Sequence, residues 1–462
     1  MENRYTNFSL INIFWFWVPL AGMWVMMAVE QPIITSIIAR MARPELNLAA
    51  FGITFSLALM VESPIIMLLT AGTALARSAQ SYHRLLQFTH LICLGLTAIH
   101  LIISLPPVYR LIVQRIIGAP QEVIELSRQA FLLMVPWSAA VAYRRLWQGV
   151  LIRYDRTGVV PVTIAARLAV SAAILGAGLV FNPLEGVHIA AVALSCGVVT
   201  AMAAAYGFVR STVKERFSYK TGINDHQKHV SQCSGTRAPA NHLYLAWGEL
   251  LRFYIPLALT SFIALGSRPV LTIALARAPM PLKSLAVWPV ILALIFLGRS
   301  IGLSYQEAVI ALLQDEKNYH NLRRFTIILT AVLSLVFYLT ALTPLKDIWY
   351  ENVAGLPSGL TGFTTIPTFI MAAVPGIGAM ISLHRGILVH AKSTIVITRA
   401  TALFMVVLAG VMFGMIGLSS IPGVLIAAIS FLAARSSELC YLWRHSRKPV
   451  SRLRSADPDA QG

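Results

Sequence analysis

The chain is 462 residues long, 57% hydrophobic and only 12% charged, with a mean hydropathy of +0.71. This composition excludes a soluble globular domain, because apolar runs recur along the whole length, each long enough for the ~20 residues of a membrane span. The formal net charge of +18 does not mark a nucleic-acid partner: the basic residues sit in short loops between apolar runs, which is how a multi-span protein fixes its orientation.

In chain order the apolar runs predict an all-α polytopic membrane protein with twelve spans, at 9–36, 46–76, 88–109, 126–150, 158–181, 187–209, 250–276, 284–313, 325–345, 361–388, 394–417 and 421–443. The first span opens on Phe14, Trp15, Phe16 and Trp17, an aromatic cluster suited to a membrane–water interface. No basic region and A-x-A site precede it, so it reads as a span and not as a cleaved signal. Pro19 and Pro32 predict that it bends. The second span carries Glu62 and Pro64 near its middle. Residues 211–248 are polar and read as a flexible cytoplasmic linker between an N-terminal bundle (1–210) and a C-terminal bundle (249–445). The tail, 446–462, is basic and then polar, and is expected to be disordered. Counting Lys and Arg in the loops gives 23 on the side of the termini against 8 on the other, with Arg144, Arg145 and Arg385 counted among the 23. Both termini are therefore expected in the cytoplasm and the protein in the plasma (inner) membrane. Cys93, Cys196, Cys233 and Cys440 form no CxxC pair and read as packing residues. His90, His100 and His188 show no metal-ligand spacing, so no metal and no cofactor are expected.

The second span returns later in the chain. LAAFGITFSLALMVESPIIMLLTAGTAL (48–75) aligns without a gap on LAVWPVILALIFLGRSIGLSYQEAVIAL (285–312), an offset of 237. The same offset aligns Val18-Pro19-Leu20-Ala21 with Ile255-Pro256-Leu257-Ala258, Gly149-Val150-Leu151 with Gly386-Ile387-Leu388, and Gly186-Val187 with Gly423-Val424. Six spans per half is an even number, so the copies share one orientation. A pseudo-twofold axis along the membrane normal is expected, with a site between the halves.

The repeat also pairs charges. Glu62 meets Arg299, and Glu30-Gln31-Pro32 meets Ser267-Arg268-Pro269. An ionisable side chain inside the bilayer costs roughly 2.5–3.5 kcal/mol on insertion scales, so acid and base at matched depth need a reason. Glu307, two turns after Arg299, adds a carboxylate near the same face. Two readings of these residues stay open. Glu62 and Arg299 form a latch between the halves while Arg167 and Arg399 snorkel to the interface, or Arg268 and Arg299 attract an anion while Glu62, Glu30 or Glu307 takes a coupling ion. Arg435 is a further polar candidate. The chain has no G-x-x-x-x-G-K-[ST] loop and no nucleophile–base constellation, so neither nucleotide-driven pumping nor catalysis is expected.

VPLA followed by EQP, then LAAFGITFSL, RQAFLLMVP, and IPLA followed by SRPV together resemble the progressive ankylosis protein family. That family is similar in architecture to the multidrug-extrusion (MATE) transporters and the lipid-linked oligosaccharide flippases. The resemblance implies two six-helix bundles with spans one, two, seven and eight lining a central cleft. It also implies export of anionic metabolites such as pyrophosphate, nucleoside triphosphate or citrate. The expected function is export of a small anionic solute by alternating access, with Glu30, Gln31, Glu62, Arg268, Arg299 and Glu307 as site residues. The rivals are an H⁺- or Na⁺-coupled drug antiporter, a flippase for a lipid-linked phosphate, and a membrane scaffold with no transport role.

Overall fold

A computed structural model describes residues 9–154, 156, 158–181, 184–234, 245–313, 316–391, 393–418 and 421–455. Among these residues every regular element is helical. The first span is two helices, α1 (Leu10–Ala28) and α2 (Glu30–Arg40). Pro32 accounts for the break: it has no N–H to donate, and its ring clashes with the carbonyl four residues back, at Ala28. Helix α3 (Pro44–Glu62) returns and ends where Pro64 acts in the same way; a 3-10 turn (Ser63–Met67) leads into α4 (Leu68–Leu75). A Ser78–Ser81 capping box starts α5 (Ala79–Ser104). A short α6 (Pro106–Arg110), a π turn (Leu111–Ile117), α7 (Gln121–Leu133), α8 (Val135–Arg153), α9 (Val159–Phe181) and α10 (Gly186–Ser234) follow. The seventh span is again split, into α11 (Trp247–Leu265) and α12 (Ser267–Arg277), with Pro269 placed as Pro32 is. Next come α13 (Pro281–Leu312), α14 (Glu316–Leu342), α15 (Leu345–Asp347) and a π turn (Ile348–Val353). The chain closes with α16 (Ser358–Thr361), α17 (Thr365–Met371), α18 (Val374–His390), α19 (Thr394–Leu418) and α20 (Gly423–Ser455).

Eleven stretches among the described residues are helical, long and apolar enough to cross a membrane. The expected fourth span is not among them. It is covered by α7 and α8, but α7 has 13 residues and α8 carries Arg144, Arg145 and Arg153. Helix α10 runs through the first part of the expected linker to Ser234, and α20 runs into the expected tail to Ser455. Residues 235–244 of the linker and 456–462 of the tail lie outside the described residues. Of the cysteines whose side chains are described, Cys93 is buried, as expected of a packing residue, while Cys196 and Cys440 are exposed; the Cys233 side chain lies outside the description.

Residues 237 apart behave alike. Among the described residues the non-glycine residues with positive φ are Arg43 (49°) and Met280 (54°), and the glycines are Gly118 (80°) and Gly355 (68°). Asn47 Oδ1 accepts the backbone N–H of Val187 at 3.0 Å, and Ser284 Oγ accepts that of Val424 at 3.2 Å. In each case a side chain satisfies an N–H at the open start of a helix.

Helices α3 and α13 pack along each other, with Gly52 against Pro289: a Cβ on Gly52 would lie 3.1 Å from Pro289 Cγ. The two split spans cross between the halves. Helix α1 packs on α13 and α14, where Trp17 Nε1 donates to Ser304 Oγ at 2.8 Å. Helix α11 packs on the 3-10 turn, where the Tyr254 hydroxyl donates to the Pro64 carbonyl at 2.5 Å. Beyond the breaks, α2 packs on α3, α9 and α10 and also on α13, and α12 packs on α13, α19 and α20 and also on α3. Each split span thus leans on the other half before its break and packs against both halves after it.

Candidate functional site

A cavity of about 270 Å³ lies at the breaks, between α2, α3, α8, α9 and α12. Its ionisable walls are Glu30, Glu62, Arg144, Arg145, Arg167 and Arg268, a formal net charge of +2. Gln31 and the apolar side chains of Phe55, Leu59 and Phe296 complete the part that matters for a ligand. The helix breaks put Glu30 and Arg268 there, because each is within two residues of an interrupted turn. Pro64 places Glu62 at the last position of α3.

Two of the six charges satisfy each other. Arg167 Nε donates to Glu30 Oε1 at 2.9 Å, Arg167 Nη2 pairs with Oε2, and Ser171 Oγ adds a contact to Oε1 at 3.4 Å. Glu30 is 7% exposed. A two-pronged guanidinium–carboxylate contact of this kind holds both groups in one geometry.

The other four have no such partner. Glu62 is 5% exposed and its Oε2 accepts no hydrogen bond; Arg144 is 4% exposed and its Nε donates none. Arg145 Nε and Trp137 Nε1 are also buried without a partner. The charges that act on Glu62 are Arg145, Arg144 and Arg167. Arg268 lies with its Cζ 5.4 Å from the centroid of the Phe55 ring. Burying a charge without a partner costs several kcal/mol, and interiors normally satisfy their buried polar atoms. So many unsatisfied groups around one space are explained if a polar guest supplies the missing partners.

Of the residues expected at the site, the structure brings together Glu30, Gln31, Glu62 and Arg268. It does not bring Arg299 or Glu307 to the cavity. Arg299 lies 5.8 Å from the Phe431 ring centroid, and the charges that act on it are Arg435, Glu438, Arg268 and Arg385. Glu307 accepts from Trp24 Nε1 at 3.3 Å, between α13 and α1. Glu62 and Arg299 thus do not form a latch; each is surrounded by charges from its own half. In the second half the fully buried Glu438 accepts from Arg385 at 2.5 Å and from Arg435 at 2.7 Å. Arg167, expected to snorkel, is turned inward to Glu30. Arg144 and Arg145, expected among the loop charges, line the cavity. Their sequence signal was depth: they lie six and five residues inside the end of the expected fourth span.

No protein-family model matches the chain, and no curated protein sequence matches it. Solved structures of similar fold exist. The chain is similar to a multidrug resistance MATE family transporter of the MOP superfamily in its inward-facing conformation, with a TM-score of 0.67 at 13% identity over 95% of this chain and 99% of that one. It is similar to the lipid II flippase MurJ in an inward closed conformation, with a TM-score of 0.65 at 11% identity over 94% of this chain and 89% of the other. It is similar to the eukaryotic MATE transporter AtDTX14, with a TM-score of 0.59 at 13% identity over 96% and 99%. The chain therefore has the fold shared by MATE transporters and MurJ, that of a multi-pass helical membrane protein.

Proposed function

We propose that the protein is a secondary transporter that exports small anionic solutes, of pyrophosphate, nucleotide or citrate type, by alternating access between two six-helix halves. On this reading α7 and α8 form the fourth of twelve spans, the halves are parallel repeats at an offset of 237, and 211–248 connects them. Both termini face the cytoplasm and the protein sits in the plasma (inner) membrane. The matched φ values and matched helix-start hydrogen bonds support the repeat. Likeness to the progressive ankylosis proteins, read from the quoted motifs, points the same way. One observation carries the anion reading: the cavity at the two helix breaks has a net formal charge of +2 and unpartnered guanidiniums.

The same observation disfavours a cation-coupled drug antiporter. Glu30 is already neutralised by Arg167, and Glu62 stands among arginines. The volume, about 270 Å³, is also below the ~300–1,000 Å³ common for drug-sized ligands. A coupling ion, H⁺ or Na⁺, would find its one unpaired carboxylate at Glu62. A flippase for a lipid-linked phosphate would use the same arginines. The test is flux into and out of proteoliposomes. The anion reading expects saturable exchange of soluble di- or trianions and none of organic cations. Exchange of organic cations alone overturns it, and movement of a lipid-linked phosphate with no soluble-anion flux selects the flippase.

A further inference from the structure

The unpartnered groups of the cavity are not all of one kind. Arg144 Nε, Arg145 Nε and Trp137 Nε1 are buried donors lacking an acceptor, and guanidinium and indole nitrogens can only donate. Facing them is one group that, when ionised, can only accept: Glu62, whose Oε2 is buried and receives no hydrogen bond. The unpaired charges are Arg144, Arg145 and Arg268 against Glu62, so a guest with two negative charges neutralises the space.

We propose that Glu62 makes this cavity select a dianionic oxyanion that still carries an O–H, monohydrogen phosphate being the smallest such ligand. This rests on the anion reading of the same cavity and narrows it. A dianion with no hydrogen on any oxygen satisfies the arginines and the tryptophan, but one of its oxygens then meets the Glu62 carboxylate, acceptor against acceptor. Monohydrogen phosphate offers three oxygens to the donors and gives its O–H to Glu62. Sulfate has the same charge and tetrahedral shape and lacks only that hydrogen. Hydroxysuccinate and succinate differ in the same way among dicarboxylates. A dianionic lipid phosphate monoester has no O–H left on phosphorus and is a poor ligand by the same rule. Sites built to hydrogen-bond a ligand's O–H reject the analogue lacking it by factors of 100 or more, because the buried partner is left unpaired.

The experiment is calorimetric binding to the full-length protein in nanodiscs at about pH 8, where phosphate is mostly the dianion. Phosphate is compared with sulfate and hydroxysuccinate with succinate, for wild type and Glu62→Gln. The expected result is a preference of roughly 100-fold for the hydroxyl-bearing member of each pair in wild type. In Glu62→Gln the amide can donate to either anion, and the preference falls to within about fivefold. Equal binding of both members by wild type, or a preference for sulfate, overturns the proposal and leaves the anion reading standing. The wild-type ratio decides this even where the variant does not fold. Binding of none of the four anions also overturns the proposal, and pyrophosphate and citrate, titrated beside them, then decide the anion reading: it stands if either binds and falls if neither does.

Discussion

Arg40 and Arg277, 237 residues apart, each hold the other's half by the same pair of backbone carbonyls. Arg40 Nη1 donates to Val353 O at 2.9 Å and its Nη2 to Asn352 O. Arg277 Nη2 donates to Ile116 O at 2.5 Å and to Arg115 O at 3.3 Å. Both carbonyl pairs sit in π turns, and both turns are followed by a glycine at positive φ. The glycines also leave room: a Cβ on Gly355 would lie 2.7 Å from Arg40 Cγ, and one on Gly118 would lie 3.2 Å from Arg277 Cγ. A π turn leaves carbonyls without their usual helical partner, which is why a guanidinium from outside can take them.

The clasp predicts a shift between open and closed forms at that end of the molecule. Both arginines are exposed, so each is discounted to about 1 kcal/mol. Removing both should raise the open population by roughly tenfold or more. Spin labels at Glu45 and Lys283, which line a depression of about 680 Å³ beside the clasp, should report one short distance in wild type. In Arg40→Ala/Arg277→Ala a longer distance should appear. Gly355→Ala, which expels Arg40, should act in the same direction. An unchanged distance in both variants would show that the clasp does not hold this end shut.

Breaking the Glu30–Arg167 pair should be costly. Either Glu30→Gln or Arg167→Gln leaves one buried charge alone, a loss of about 3–5 kcal/mol. The double variant should recover part of it. Melting of the purified protein in detergent checks this; equal loss in the double variant and in the sum of the singles would contradict a coupled pair.

The second half predicts a contrast between two neighbours. Glu438 is fully buried and neutralises Arg385 and Arg435. Glu438→Gln should lower stability by several kcal/mol and show as poor yield of folded protein. Arg299→Ala removes one cation from a group already rich in them and should leave melting within about 1 kcal/mol of wild type. A large loss in Arg299→Ala would give that residue a structural role.

A pH dependence is expected at the turn before α10. Asn47 Nδ2 donates to Glu185 Oε2 at 2.8 Å, and Arg43 pairs with Oε1. Partial burial pushes the Glu185 carboxyl up, but the hydrogen bonds from Asn47 and Arg43 outweigh it and hold it below the usual carboxylate range. A depressed folded value means the contact stabilises at pH above the ordinary ~4.3 and is lost as pH falls through the lower folded value. The Arg43 side chain is 60% exposed, so the effect should stay near or below about 1 kcal/mol. Melting between pH 7 and pH 3 should show an acid-side loss in wild type that is smaller in Glu185→Gln.

What the sequence made legible were features with a local cause. Pro32 and Pro269 announce the breaks in the first and seventh spans because proline acts on its own helix. Glu30, Glu62 and Arg268 stand out because a charge in an apolar run is conspicuous by itself. Arg144 and Arg145 did not stand out, since loop and cavity arginines look alike near the end of a span. The partner of a buried charge was the hardest thing to read. The alignment sets Glu62 opposite Arg299, but the helices that surround each of them, α8 for one and α18 and α20 for the other, come from distant sequence. Glu438 drew no notice, although it is the buried acid that pairs with Arg385 and Arg435. The Arg40–Arg277 relation could have been found from the offset, had the carbonyls of two loops been visible in a string of side chains.

The central claim is that the anion sits at the breaks, against the α8 arginines. Its most direct test is anion exchange in proteoliposomes by Arg144→Gln and Arg145→Gln beside Arg299→Ala, all reconstituted at equal folded amounts. The expected result is a loss of at least about tenfold in each α8 variant, from about 1.5–3 kcal/mol per charged contact, with exchange retained in Arg299→Ala. Full exchange in both α8 variants together with its loss in Arg299→Ala would contradict the account and move the site to the second half.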